Sequence, residues 1–261
     1  HAAFFGIGAY SLALLAPRYE AASLWPTALA AMVLSAAAAL VVGLFVLRTK
    51  GIYFIMVTLA FAQMFFFLFH DTELGRGSDG ITMNFKPSAA AFGVTPFDLS
   101  DPRHQYYLVL AVLALALLFL RTLLRSPLGR ALQGIRGNEH RMRSLGFPVF
   151  RYKLASFTIA GGLAGLAGYL SALQYGFVNP ELLSWHQSGN VLLMVILGGI
   201  GSLYGSLAGA FVLVVLQEVF QALTTHWQLP FGLTILLLVL FLPGGMASAA
   251  DRLRGARGGA A

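Results

Sequence analysis

The chain carries repeated apolar runs long enough to cross a lipid bilayer, and that feature leaves it few architectures. From Pro26 to Leu47 no charged residue occurs, and the same holds from Leu154 to Tyr175. A membrane-crossing helix needs about 20 mostly apolar residues. In hydrocarbon every backbone N–H and C=O must be satisfied within the protein, so such runs fold as helices. Charged residues make up only 10% of the 261 positions, against about 25% in a soluble domain. They could not cover a water-facing surface, so a soluble enzyme is excluded. Cysteine is absent, which removes disulfides, thiolate metal sites and cysteine nucleophiles.

The pattern predicts an all-α, polytopic transmembrane helix bundle with about eight membrane segments. They fall near Ala2–Ala16, Pro26–Leu47, Ile52–Phe69, Gln105–Leu120, Leu154–Tyr175, Asn190–Ile200, Tyr204–Leu223 and Leu229–Leu242. The first looks like the remainder of a helix. Because the chain opens on His1 within apolar sequence, the expectation is that an earlier portion is missing. Residues 1–249 are expected to form one transmembrane domain. Its two large loops lie at about 70–104 and 121–153, and residues 250–261 form a polar tail.

Charge placement orients the bundle, because cytoplasmic loops are enriched in Lys and Arg. Arg48 and Lys50 follow the second segment. Arg121, Arg125, Arg130, Arg136, Arg141, Arg143, Arg151 and Lys153 gather between the fourth and fifth, opposed only by Glu139. Arg252, Arg254 and Arg257 follow the last. Eight crossings put all three clusters on one side, read as cytoplasmic, and the 71–103 loop with its five acids on the other. This topology accounts for the net charge of +7 without invoking nucleic acid.

Small residues mark where helices touch. Gly161, Ala164, Gly165 and Gly168 lie at close-packing spacing, as do Gly201, Gly205 and Gly209. Gly198, Gly199 and Gly201 would weaken a helix by about 1 kcal/mol each relative to alanine. The sixth and seventh segments therefore form either a broken, re-entrant pair or two ordinary helices joined by a tight turn. Candidates for a translocation path are Gln63, Gln217 and Glu218, polar residues inside apolar runs, with Gly198, Gly199 and Gly201, where a broken pair would line it. Interfacial exposure also accounts for Glu218, and a bond to a neighbouring helix for Gln63.

In the basic loop, Pro127 suits a helix start, and Leu128, Leu132 and Ile135 form a short apolar stripe. Asn138 could cap a second short helix carrying Met142 and Leu145, which Gly146 and Pro148 would end. Such a helix lies on lipid headgroups or docks in a partner's groove; so short a stripe favours the partner.

At this loop the chain resembles the permeases of branched-chain amino acid ABC importers, the LivM type. The likeness runs through His1–Tyr10, Gly51–Phe54 with Thr58–Ala62, and Gly77-Ser78-Asp79-Gly80-Ile81, where Arg76 replaces a usual glycine. It continues in Gly198-Gly199-Ile200-Gly201-Ser202 with Gly205. The loop resembles the family's ATPase-coupling segment at Gly129, Arg130, Ile135, Arg136, Asn138, Glu139, Leu145 and Gly146. It departs at Gly134, Gly137 and Arg141, and the extra glycine is expected to loosen the helix.

The resemblance implies a permease subunit of an ATP-driven importer in a bacterial inner membrane. It implies a second, LivH-like permease subunit, two cytoplasmic ATPase subunits and a periplasmic substrate-binding protein. ATP and Mg would be used by the ATPases, with no cofactor, metal or catalytic residue on this chain. The residues agree: lysines occur only at 50, 86 and 153, so there is no Gly-Lys-Ser/Thr phosphate loop. The six histidines are scattered singly. A self-sufficient transporter would need carboxylates within the membrane, and only Glu218 offers itself. Among substrates, branched-chain or other hydrophobic amino acids stand beside urea and short amides.

Overall fold

A computed structural model of the chain describes residues 1–15, 23–73, 75–83, 87, 99, 101–241 and 245–246. The fold is helical and comprises two compact units, His1–Trp185 and a second beginning at His186. The first holds helices α1 (Ala2–Leu15), α2 (Leu24–Val46), α3 (Ile52–His70) and α4 (Pro102–Arg125). It also holds the short α5 (Pro127–Gly137) and α6 (Glu139–Ser144), then α7 (Val149–Tyr175). The second is built from α8 (Trp185–Gly198), α9 (Leu203–Leu223) and α10 (Gln228–Phe241).

Each expected segment is found as a helix, but the boundaries follow hydrogen bonding rather than hydropathy. α4 runs past Leu120 through Arg121 to Arg125, and α7 starts at Val149, ahead of Arg151 and Lys153. The helical ladder continues into the interface, where charged side chains reach water. The Asp101 carboxylate accepts the Arg103 N–H at 2.9 Å and Pro102 takes the first helical position, which starts α4.

The count of eight crossings is not reached by length. Among the described residues five helices are long and apolar enough to cross a membrane: α2, α3, α4, α7 and α9. α1, α8 and α10 have 14 residues each, roughly 21 Å of helix. The hydrocarbon core is about 30 Å thick. The C-terminal tail and the third basic cluster lie outside the described residues.

The first unit is organised about α7, which packs between α1 and α2 along its glycines. A Cβ on Gly161 would meet the Ala39 methyl, one on Gly165 the Ser35 side chain, and one on Gly168 the Phe5 carbonyl. A Cβ on Gly8 of α1 would strike the Gly165 carbonyl in turn. This is close helix packing of the kind that small residues permit in lipid. Ser35, Thr27 and Tyr169 are paired within the seam: Ser35 Oγ donates to Phe4 O at 3.1 Å. Thr27 Oγ1 and Tyr169 Oη lie 2.8 Å apart, and Tyr169 Oη donates to Leu24 O. The outward faces are apolar, as with Met64, Leu115 and Leu118, each more than 60% exposed, which suits contact with lipid.

Beyond α3 the polar loop folds back on the end of α7. Strand β1 (Ile81–Thr82) pairs antiparallel with β2 (Phe177–Val178). Gly80, at φ 68°, is confined there because a Cβ would run into the Val178 carbonyl and the Phe177 ring. Tyr10, Phe69, Leu99, Leu173, Val178 and Leu183 close this end with a buried apolar cluster.

Candidate coupling surface and membrane path

The opposite end of α7 carries the basic segment, folded as a helical cap. Ser126 Oγ accepts the Gly129 N–H, and Pro127 opens α5. Gly129 is buried in the turn, where a Cβ would collide with the Leu123 and Leu124 carbonyls. Asn138 Oδ1 accepts the Arg141 N–H at 2.9 Å and so caps α6. At the far end the Gly146 N–H donates to Arg143 O and the Phe147 N–H to Met142 O, with Gly146 at φ 83°. This is a Schellman termination, and it needs the left-handed conformation that glycine adopts without penalty. Both short helices, their caps and their stop lie where the sequence places them.

The apolar stripe of α5 has a different use from the one expected. Ala131 and Ile135 are buried and Leu128 and Leu132 half-buried, where α5 contacts α4, α6 and α7. The stripe packs the cap onto its own bundle, because apolar groups beside the first turns of α7 gain more from that contact than from solvent. Arg130, Arg136, Asn138 and Arg141 remain exposed, with Leu145 at 64%. Of the two extra glycines on α5, Gly134 has a packing role: a Cβ would meet the Met142 sulfur of α6. Gly137 faces open space.

The acid of the cap is paired through both oxygens. Glu139 Oε1 accepts from Arg143 Nη2, and Oε2 from Lys153 Nζ on α7, both at 2.7 Å. The Lys153 hydrogen bond holds the Glu139 carboxyl below the ordinary carboxylate range, aided by the charges of Lys153, Arg143 and Lys50 against some desolvation. The Arg48 guanidinium sits 6.0 Å from the centroid of the Phe150 ring, within cation–π range. Two basic clusters separated by some hundred residues thus meet at one end of the first unit. The sequence analysis singled out Glu139; its i,i+4 spacing to Arg143 is a local signal for that pair. No local signal marks Lys153 as its second partner.

The candidate path residues are divided between the two units. Gln63 is half-buried on α3. Between α1, α2, α3 and α7 lies a cavity of about 190 Å³ lined by Phe4, Val42, Phe54, Phe61, Phe65 and Phe157, with Thr58 on its wall donating to its own helix; Gln63 is not among its lining residues. In the second unit, Gly199 at φ 108° and Gly201 at φ 106° make the turn between α8 and α9, and Ser202 Oγ caps α9 by accepting the Gly205 N–H. The helices touch at backbone: a Cβ on Gly198 would meet the Gly205 carbonyl, and one on Gly209 the Met194 carbonyl. Gly245 returns to the same turn, where its Cβ would reach Gly199. Buried Gly205, Gly209 and Leu213 define the inner face of α9. Gln217 continues that four-residue series, whereas Glu218 is exposed. Both lie roughly 20 Å along α9 from the glycine turn. Among the described residues no group of three or more His, Cys, Asp or Glu could hold a metal ion.

With this arrangement in view, a family model described as "Branched-chain amino acid transport system / permease component" matches residues 1–242. The chain belongs to that family. It is 36% identical to the high-affinity branched-chain amino acid transport system permease protein LivM of Salmonella typhimurium, across 93% of this chain and 61% of that protein. The Escherichia coli LivM protein is 35% identical over the same shares. The autoinducer 2 import system permease LsrC of an Enterobacter species is 32% identical over 68% of this chain and 51% of that protein. The chain thus spans about three-fifths of the LivM proteins it matches. No solved structure matches it significantly. Membership in this permease family and five span-length apolar helices make it an integral membrane protein.

Proposed function

We propose that the chain is a transmembrane permease subunit of an ATP-driven importer, moving branched-chain or other hydrophobic amino acids delivered by a periplasmic binding protein. A second, LivH-like permease subunit completes the pathway, and two separate ATPase subunits bind ATP and Mg. The basic end of the first unit faces the cytoplasm, and the α5–α6 cap is the surface the ATPase grips.

The observation that carries this reading is the cap itself. Its apolar stripe is spent on the chain's own bundle, so what it offers outward is cationic, Arg130, Arg136 and Arg141 with Leu145 beside them. Energy from ATP has to enter through such a contact, because this chain has no phosphate loop. Movement of the cap would then reach α1 and α2 through α7. A solute shifts the resulting equilibrium only through its differing affinity for the two states.

The test is uptake in proteoliposomes holding both permease subunits, the ATPases and the binding protein, with leucine, urea and short amides as competitors. Uptake should require ATP and the ATPases and yield to leucine; movement of solute by the permease alone would sink the reading. Arg136→Glu should lower ATPase co-purification about tenfold or more, since reversing an interface charge creates repulsion as well as removing attraction. Membrane insertion should be normal.

A further inference from the structure

The geometry points to Glu139 as a positioning residue whose tie to Lys153 joins α6 rigidly to α7, so that the cap and α7 move together. The inference rests on the coupling role proposed above and assigns Glu139 a part distinct from that of the exposed arginines.

The attachment of α6 is otherwise weak. The helix has six residues and none is buried. It is flanked by two glycines in open space, Gly137 before it and Gly146 after it, the latter at φ 83°. Its packing onto α5 runs through Met142 over Gly134. A helix so placed could hinge at both ends, and a push on it would be absorbed locally.

Glu139 removes that freedom. It is the first residue of α6, where the helix dipole favours an anion. One oxygen is held by Arg143 of the same helix and the other by Lys153, in the second turn of α7. With each oxygen accepting from a different helix, the carboxylate spans α6 and α7. Glu139 is 28% exposed and Lys153 32%, against 56% for Arg143. From Lys153, α7 continues without interruption into Gly161, Gly165 and Gly168, the seam with α1 and α2. The tie therefore lies on a helix that leads from the cap into the membrane-spanning bundle.

The experiment is a cycle of Glu139→Gln, Lys153→Gln and the double variant, with Lys153→Arg as the conservative control, in the reconstituted complex. Each single variant should keep ATPase co-purification within about twofold and lower solute moved per ATP roughly tenfold, and the double should fall no further, as for residues acting through one contact. Lys153→Arg should restore most of the loss. A double variant that multiplies the two losses overturns the tie. So does Glu139→Gln abolishing co-purification while Lys153→Gln spares it, which would make Glu139 a contact residue.

A second arm needs no ATPase. The chain has no native cysteine, so a nitroxide placed through Arg141→Cys reports on α6 alone. Its mobility should rise equally with Glu139→Gln and Lys153→Gln; unchanged mobility overturns the inference. The Arg136→Glu variant and the wild-type complex report separately on the coupling role, so failure of that role is told apart from failure of the tie.

Discussion

Arg76 is the only non-glycine residue at positive φ among the described residues, at φ 56° and ψ 34°. It lies in the turn after α3, where the resemblance expects glycine. Left-handed backbone costs a side-chain-bearing residue about 1–2 kcal/mol, and glycine's freer unfolded chain returns part of any gain. Arg76→Gly should therefore raise stability by about 0.5–1 kcal/mol, and Arg76→Val should lower it, read as shifts in thermal midpoint of the purified protein. Glu139 gives a second prediction. Its native carboxyl is held below its ordinary value, so its contribution is complete above the unfolded carboxylate pKa. It fades as pH falls through the depressed native value. The protection of α6 against hydrogen exchange, taken relative to intrinsic rates, should fall in acid, and Glu139→Gln should flatten that dependence. Gly146 and Pro148 were legible as a helix stop, because such an ending is written in neighbouring residues. The Glu139 pairing to Lys153 was not, because it joins residues 14 apart across a turn.

At the scale of elements, the glycines separate by what surrounds them. Gly8 and Gly168 each face a backbone carbonyl across a helix pair, which cannot swing aside as a side chain can. Gly8→Ala and Gly168→Ala should each cost about 1–3 kcal/mol, the range for overpacking a tight contact, seen as lower thermal midpoints in detergent. Gly137→Ala has open space and should be neutral or gain up to about 1 kcal/mol of helix propensity. Spacing alone marked Gly161, Gly165 and Gly168 as a packing face. It did not say that α1 and α2 share that face, nor that Gly134 makes room for Met142. The same holds for α5, whose stripe was visible and whose direction was decided by packing.

For the whole molecule the decisive quantity is the length of α7. Its 27 residues make roughly 40 Å of helix, more than the hydrocarbon thickness of about 30 Å. The Gly77–Asp79 turn is joined to its C-terminal end through β1 and β2, and the basic cap to its N-terminal end. Ser78 and Arg141 are both exposed. In intact cells an impermeant maleimide should label Ser78→Cys at once and Arg141→Cys only after permeabilisation. The reverse pattern would invert the topology.

Sequence by itself determined that the chain is helical and membrane-embedded, where its apolar runs lie, and how the cap helices begin and end. Those properties follow from hydrophobic period, run length and capping, all encoded within a few neighbouring residues. The family resemblance too was legible, in local blocks such as Asn138-Glu139 and the glycine turn. Only the tertiary structure decided that the α5 stripe packs against its own bundle, that Glu139 reaches Lys153, and that Arg48 meets Phe150. Those outcomes depend on which surfaces approach to van der Waals contact, and contacts such as Thr27 with Tyr169, 142 residues apart, have no local signature.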